Sequence, residues 1–381
     1  MATARKWAFD CLLQSEAMGR FPDRVLGELY GQHPEISPLD RAFIQQLVFG
    51  VYRWRARIDW VLEKFSKTPL AKLDFPLLSI LRLGAFQILF LDKVPVSAAV
   101  NEAVRLAKSG PAPWTGGMVN GILRSLVREK ETLSPPTAED LRPYLTITQS
   151  HPEWLTEAWL QTLGPQETIA LCEANNQIPP LTLRTNTLKI TRPDLLERLR
   201  KMFASVEATT WSPVGIRIVQ PRAPLQDTNL YRQGFFQIQD EASQLIGFLL
   251  DPQPGEKILD LCAGFGGKAT HLAQLMENRG RVLSVDRDSR KIRDLGQNTR
   301  RLDLAILQGL TGDILGDDLR RKIPGPFDRI LVDAPCSGWG VIRRHPDLKW
   351  RIRYEDSHRL ASLQIKFLQK AAGWLKSSGV L

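Results

Sequence analysis

From the start of the chain to about Glu131, apolar residues recur almost continuously at three-to-four spacing and alternation is rare, which predicts an all-helical domain over residues 1–133. One helix starts at Ser37-Pro38-Leu39-Asp40, where the serine can cap, the proline fits the first helical position and the aspartate lies three residues after the cap. It runs on through Phe43, Leu47, Val48 and Val51. A second extends from about Ser97 through Val100, Val104 and Leu106 to Gly110, a glycine suited to end it before Pro111. A third contains Val119, Ile122, Leu123, Leu126 and Val127. The stretch Leu133-Ser134-Pro135-Pro136-Thr137 suits neither helix nor sheet and reads as a linker.

Residues 138–236 mix helical stretches with short β-like runs, Leu181-Thr182-Leu183-Arg184 and Gly215-Ile216-Arg217-Ile218-Val219, and predict a small α+β module. Phe236 to Ser243 reads in isolation as the start of an amphipathic helix. After Pro252-Gln253-Pro254-Gly255 the pattern becomes apolar strands separated by helix-length segments: Lys257 to Cys262, Arg281 to Asp286, Ala305 to Gln308 and Arg329 to Asp333. Such alternation predicts a parallel, doubly wound, Rossmann-like α/β domain over residues 237–381.

A length of 381 residues agrees with several domains, since single domains usually span about 100 to 200. The formal charge of +10 and the isoelectric point near 9.6 favour polyanions, either nucleic acid or an anionic membrane surface, and Arg53, Arg55 and Arg57 form a basic cluster suited to a phosphate backbone. No apolar run reaches the roughly 18 to 20 residues of a membrane span, and the N-terminus has no signal-peptide core, so a cytoplasmic protein without a membrane partner is expected. Cys11, Cys172, Cys262 and Cys336 lie far apart without a C-x-x-C pair, which argues against disulfides and against a metal site. Cys11 and Cys172 fall in helical stretches and read as core residues.

The other two cysteines follow strands. The first of these strands runs into Asp260-Leu261-Cys262-Ala263-Gly264-Phe265-Gly266-Gly267-Lys268 and then a helix from near Ala269. Glycines here let the backbone approach a nucleoside cofactor, and Asp286, about 20 residues on, can accept hydrogen bonds from ribose hydroxyls. Because Gly264, Gly266 and Ala269 also satisfy a dinucleotide fingerprint, a nicotinamide cofactor stays open on this loop alone. A phosphate P-loop does not fit, because Cys262 and Ala269 occupy positions that need Gly and Ser or Thr. Asp313 follows the third strand and could accept an adenine amino group or simply satisfy its own turn.

The fourth strand ends in Asp333-Ala334-Pro335-Cys336-Ser337-Gly338. Methylation of an exocyclic amine commonly uses a Pro-Pro-aromatic loop, whereas a cysteine after the proline suggests carbon chemistry. Cytosine C5 is a weak nucleophile until a thiolate adds at C6, and a nearby acid such as Asp333 can hydrogen-bond the base and stabilise that adduct. The next residues mix cations with aromatics, and Arg343, Arg344, Lys349 and Arg351 are candidate contacts to RNA phosphates. His345 has no visible catalytic partner.

These motifs resemble the Sun, or Fmu, family of RNA cytosine-5 methyltransferases, also called RsmB, which modify bacterial 16S ribosomal RNA. Ala98-Ala99-Val100-Asn101-Glu102-Ala103-Val104 and Val119-Asn120-Gly121-Ile122-Leu123-Arg124 are similar to its NusB-like RNA-binding domain, and Phe236 to Ser243 to the segment before its cofactor loop. The resemblance implies that Cys262, Ala263, Gly264, Phe265, Gly266, Gly267, Lys268, Asp286, Asp313 and Asp333 contact S-adenosylmethionine, with 16S ribosomal RNA as partner. The family pattern has Ala-Pro where this chain has Gly264-Phe265. It also places the nucleophile in a Thr-Cys after a fifth strand, which by the resemblance begins at Gly379-Val380-Leu381, so beyond Leu381, and gives Cys336 the assisting role in product release. A catalytically silent RNA-binding or ribosome-assembly protein is the competing reading.

Overall fold

The computed structural model describes residues 3–219, 225–323 and 325–381. The chain forms two compact units: the first holds residues 1–179 and 338–354, the second residues 180–337 and 355–381. The Pro-rich stretch expected to separate domains therefore lies inside the first unit. The reason is the helix Glu153–Asn176, whose Leu155, Trp159 and Cys172 form a buried cluster with Leu145 and Ile342.

The N-terminal half of the first unit is helical, as the periodicity predicts. Its helices are Ala4–Ala17, Pro22–Gln32, Pro38–Arg53, Arg55–Phe65, Phe75–Phe90, Val96–Lys108 and Thr115–Glu129. The Ser37 hydroxyl caps the third by accepting from the Asp40 amide at 3.1 Å. Phe75–Phe90 is apolar on most of its circumference and lies in the middle of the core, burying Leu77, Ile80, Leu81, Leu83, Phe86 and Ile88. Gly50 admits the Phe86 ring, since a Cβ there would fall 2.0 Å from its Cζ. Cys11 and Cys172 are buried in helices, as expected. Among the described residues, no helix is long and apolar enough to cross a membrane.

In the segment 338–354, two of the four cations expected to contact phosphates, Lys349 and Arg351, are instead taken up in packing. Lys349 is only 1% exposed, and its ammonium donates to the carbonyls of Arg53 (3.2 Å) and Ser150 (3.1 Å) and to Asn176 Oδ1 (2.8 Å). Arg351 donates to the Ser15 carbonyl at 3.0 Å and pairs with buried Asp347 at 3.1 Å. Ile342, Leu348 and Trp350 pack into the apolar clusters of this unit and draw the neighbouring cations inward with them. Arg343 donates to the carbonyls of Gln177 and Ile178 at 3.4 and 3.1 Å, and Arg344 is half-buried. The Arg53, Arg55 and Arg57 cluster is also drawn into packing: Arg53 is buried against the Arg343 carbonyl (3.0 Å), while Arg55 lies over Trp350 and Arg57 over Phe90.

Among the described residues, the second unit holds nine strands: β1 (Leu181–Thr185), β2 (Val206–Ala208), β3 (Gly215–Ile218), β4 (Phe236–Ile238), β5 (Lys257–Leu261), β6 (Arg281–Asp286), β7 (Leu307–Thr311), β8 (Phe327–Val332) and β9 (Leu375–Val380). The first four make an antiparallel sheet in the order β2-β3-β1-β4, and the rest a parallel sheet in the order β7-β6-β5-β8-β9. Phe236 to Ser243 is not all helix: β4 comes first, and Asp240 then caps the helix Glu241–Leu250. β9 starts at Leu375, earlier than the expected Gly379, because the polar run Lys376-Ser377-Ser378 hides a strand that pairs in parallel with β8. β7 lies slightly later than expected, at 307–311 rather than 305–308.

Burial without a carboxylate partner pushes the Lys349 ammonium well below its ordinary 10.5, with Arg53 adding to the shift. The stability this group contributes is fully present above about 10.5 and is lost as pH falls through the lower folded value. Lys349→Ala should destabilise the chain by about 3 kcal/mol, through lost packing and three orphaned acceptors. Denaturant titrations should show the deficit widening as pH is raised from 7 toward 10; a deficit that shrinks over that range contradicts this account.

Candidate active site

Parallel pairing brings the carboxyl ends of β5, β6, β7 and β8 to one edge of the sheet, where ligands of such folds gather. Beyond β5 the chain turns through Cys262 (φ 64°) and Gly264 (φ 58°) and enters the helix Gly267–Leu275 by way of Gly266 (φ 81°). At Gly266 a side chain is excluded twice, since its backbone is left-handed and a Cβ would lie 2.8 Å from Leu295 Cγ.

Asp286, at the end of β6, holds this loop in place. One carboxylate oxygen accepts the Gly264 amide and the other the Asp288 amide, each at 2.9 Å, with the Lys291 ammonium 3.6 Å away. Asp333 follows β8, and its carboxylate forms an ion pair with Lys268 from the glycine-loop helix. Asp313, after β7, accepts the Leu315 amide at 3.0 Å, so it serves its own turn as well as facing the cavity.

Cys262, Asp286, Asp313 and Asp333 line one cavity of about 590 Å3, completed by Arg287, Lys291, Pro335, Arg359 and the apolar Ile314, Leu315, Leu363 and Phe367. Four sequence-predicted residues thus converge. Gly264 and Lys268 bind the acids of that cavity, whereas Phe265 is 56% exposed and does not line it. Cys336 is exposed on the loop after β8, and the Pro335 carbonyl of that loop accepts from Gln364 at 3.0 Å.

Sequence reasoning missed Lys291, Arg287, Arg359, Leu363 and Phe367. Lys291 had a local signal, because it lies in the first turn of a helix capped by Asp288, soon after Asp286. Arg359, Leu363 and Phe367 had none; the helix Tyr354–Ala372 brings them across from a distant part of the chain.

Charge at the site is set by burial. The Cys262 thiol is pushed up to about 12 by desolvation, reinforced by Asp286, Asp260 and Asp333, so it is not a thiolate at neutral pH. Asp260, in the middle of the sheet, is 1% exposed, and neither carboxyl oxygen has a hydrogen-bond partner among the described residues. Burial, then the nearby Asp333, push its carboxyl well above the usual carboxylate range.

Three family models match the chain: the NusB family over residues 2–128, the RsmF/B-like ferredoxin-like domain over 151–224, and the 16S rRNA methyltransferase RsmB/F over 247–381. The probable ribosomal RNA small subunit methyltransferase B of Bacillus subtilis is 34% identical over 381 residues, which is 100% of this chain and 83% of that relative. The chain belongs to the RsmB/F family of 16S rRNA methyltransferases. The corresponding probable methyltransferase B of Synechocystis is also 34% identical, with 100% of this chain and 85% of that relative covered. In fold, the chain is similar to the crystal structure of PH0851, with a TM-score of 0.79 at 24% identity, covering 100% of this chain and 85% of that one. The RsmB/F family has a helical NusB-like domain, a small middle domain and a parallel-sheet methyltransferase domain, and the expected fold class agrees with it.

Asp260 supplies a test of the site's electrostatics. Its folded pKa lies above the ordinary 3.8, so its stabilising contribution is present below about 3.8 and lost as pH rises through the folded value. Asp260→Asn should therefore be close to neutral near pH 3 and stabilise the chain at pH 7 by about 1 kcal/mol or more. Chemical denaturation at the two pH values checks this, and equal effects at both would show that folding does not raise the Asp260 pKa.

Proposed function

We propose that this chain uses S-adenosylmethionine to methylate C5 of a cytosine in 16S ribosomal RNA through a covalent cysteine adduct at C6. The observation that carries the reading is the convergence of the glycine loop and the acids after β6, β7 and β8 on one cavity, with the Asp333-Ala-Pro-Cys336 loop beside it. The relatives, known as small-subunit rRNA methyltransferases, support the substrate class.

The residues present suit the cofactor. Asp286 keeps lone pairs free after binding the Gly264 and Asp288 amides, enough to accept ribose hydroxyls. Ile314, Leu315, Leu363 and Phe367 offer apolar surface for a purine, and Asp313 an acceptor for its amino group. The acids around the cavity also suit a positive sulfur, and when bound the cofactor supplies an electrophilic methyl group on that sulfur. A nicotinamide dinucleotide leaves the Asp333-to-Cys336 loop without a role.

On the substrate side, Lys268 holds the Asp333 carboxyl group, which as a carboxylate accepts from the cytosine N4 amine and in its protonated form donates to N3, where negative charge builds after thiol addition. Addition at C6 places the electron pair at C5; once C5 is methylated its proton leaves and the thiol is eliminated. Cys262 is unsuited to attack because its thiol stays protonated. The family resemblance assigns attack to a Thr-Cys following β9 and assistance in release to Cys336. For the RNA contacts, exposed Arg287 and half-buried Arg343 and Arg344 are better placed than Lys349 or Arg351.

Calorimetry should show binding of S-adenosylhomocysteine and none of NAD. Asp286→Ala should weaken that binding by roughly 1.5 to 3 kcal/mol, the worth of hydrogen bonds to a charged acceptor. NAD binding with no response to S-adenosylhomocysteine would overturn the cofactor assignment. RNA containing 5-fluorocytosine tests the cysteine roles: the 381-residue chain should form no adduct that depends on Cys336. If the 381-residue chain forms an adduct that Cys336→Ala abolishes, Cys336 is the nucleophile and the assignment is wrong.

A further inference from the structure

The second unit contains a fully buried cation that the reaction as proposed does not use. Arg184 lies on β1, between β3 and β4, and is 1% exposed. Its guanidinium leaves the antiparallel sheet and reaches the glycine-loop helix. Nη1 donates to the Gly267 carbonyl at 2.6 Å and to Gln239 Oε1, and Nη2 donates to Thr270 Oγ1 at 2.9 Å. Every one of these acceptors is a neutral oxygen, and Nε has no partner among the described residues.

This placement is poor for stability alone. A buried cation with no carboxylate is expensive to desolvate, and an apolar side chain of similar volume would usually cost less. Its position at the N-terminal end of the helix Gly267–Leu275 also sets it against the helix dipole. An apolar replacement lacks the planar fork, which fixes two acceptors one turn apart in a single geometry. Both acceptors lead into the loop. The Thr270 hydroxyl donates to the Gly266 carbonyl at 2.8 Å, Gly266 donates to the Ala263 carbonyl at 3.0 Å, and the Gly264 amide between them binds Asp286.

We propose that Arg184 is a positioning residue for the cofactor loop: from the antiparallel sheet it clamps the first turn of the helix, and through it the Ala263–Gly266 backbone that meets Asp286. The inference rests on the cofactor reading above. It places the tuning of the loop in the neighbouring sheet, so that a change in that sheet alters cofactor affinity without touching the cavity.

Gln274 supplies the comparison. It ties the same helix to the same strand, donating to the Thr185 carbonyl and to Thr187 Oγ1 at 2.9 Å each, but it lies farther along the helix and touches no loop residue. In the 381-residue chain, Arg184→Met, Arg184→Lys and Gln274→Leu are compared by thermal midpoint, by S-adenosylhomocysteine calorimetry and by hydrogen exchange of the peptide 262–270. Arg184→Met should weaken ligand binding about tenfold or more and accelerate exchange in that peptide. Arg184→Lys, which keeps the charge and loses the fork, should fall between it and the unsubstituted chain and serves alone if the methionine variant does not fold. Gln274→Leu should lower the midpoint yet leave affinity within about twofold. Equal losses of affinity in the Arg184 and Gln274 variants, or unchanged loop exchange in the Arg184 variants, overturn the proposal. If the unsubstituted chain binds no S-adenosylhomocysteine, the cofactor reading fails separately, and the exchange comparison still decides whether Arg184 holds the loop.

Discussion

Parallel pairing of β5 with β6 on one side and β8 on the other is the constraint from which the site follows. Because the strands run the same way, their carboxyl ends open on one edge, and the residues just past them must share a small volume. Reversal of any one strand would carry its acid to the opposite edge. The register then sets the details: Asp286, paired with Thr311 at the end of β6, is close enough to accept the Gly264 amide beyond β5, and the Asp333 amide donates to the Leu261 carbonyl.

Buried polar side chains fasten the pieces that apolar packing alone would leave free to slide. In the first unit Lys349 joins the segment 338–354 to two helices through neutral oxygens. In the second, Arg184, Asn186, Gln244 and Gln274 fasten the antiparallel sheet to helices and loops around the parallel one; Asn186, for example, bonds the carbonyls of Gly234 and Leu302 at 2.9 and 3.0 Å. Such contacts add little net energy when made and cost more when broken, so they select one arrangement rather than supply most of the stability.

What the sequence by itself determined was local. The helices of the first unit, the strands β5, β6 and β8 and the glycine loop were legible because each is encoded in periodicity, a cap or a turn within a few residues. The three acids lining the cavity, Asp286, Asp313 and Asp333, were named from their positions at or just after strand ends. Tertiary structure alone decided what happened to residues whose meaning depends on distant neighbours. Lys349 and Arg351 sit in a basic, aromatic run that reads as a surface, but apolar residues of the same run find partners in the helical core and bury the cations against backbone carbonyls. The start of β9 was hidden because a parallel edge strand can take its hydrogen bonds from β8 while carrying Lys376, Ser377 and Ser378. Arg359 and Phe367 reach the cavity only because the chain returns to the sheet after leaving it, and Arg184 reaches the glycine-loop helix across 83 positions of sequence. A one-dimensional pattern records which face of an element is apolar, and not which carbonyl of a remote loop a buried guanidinium will meet.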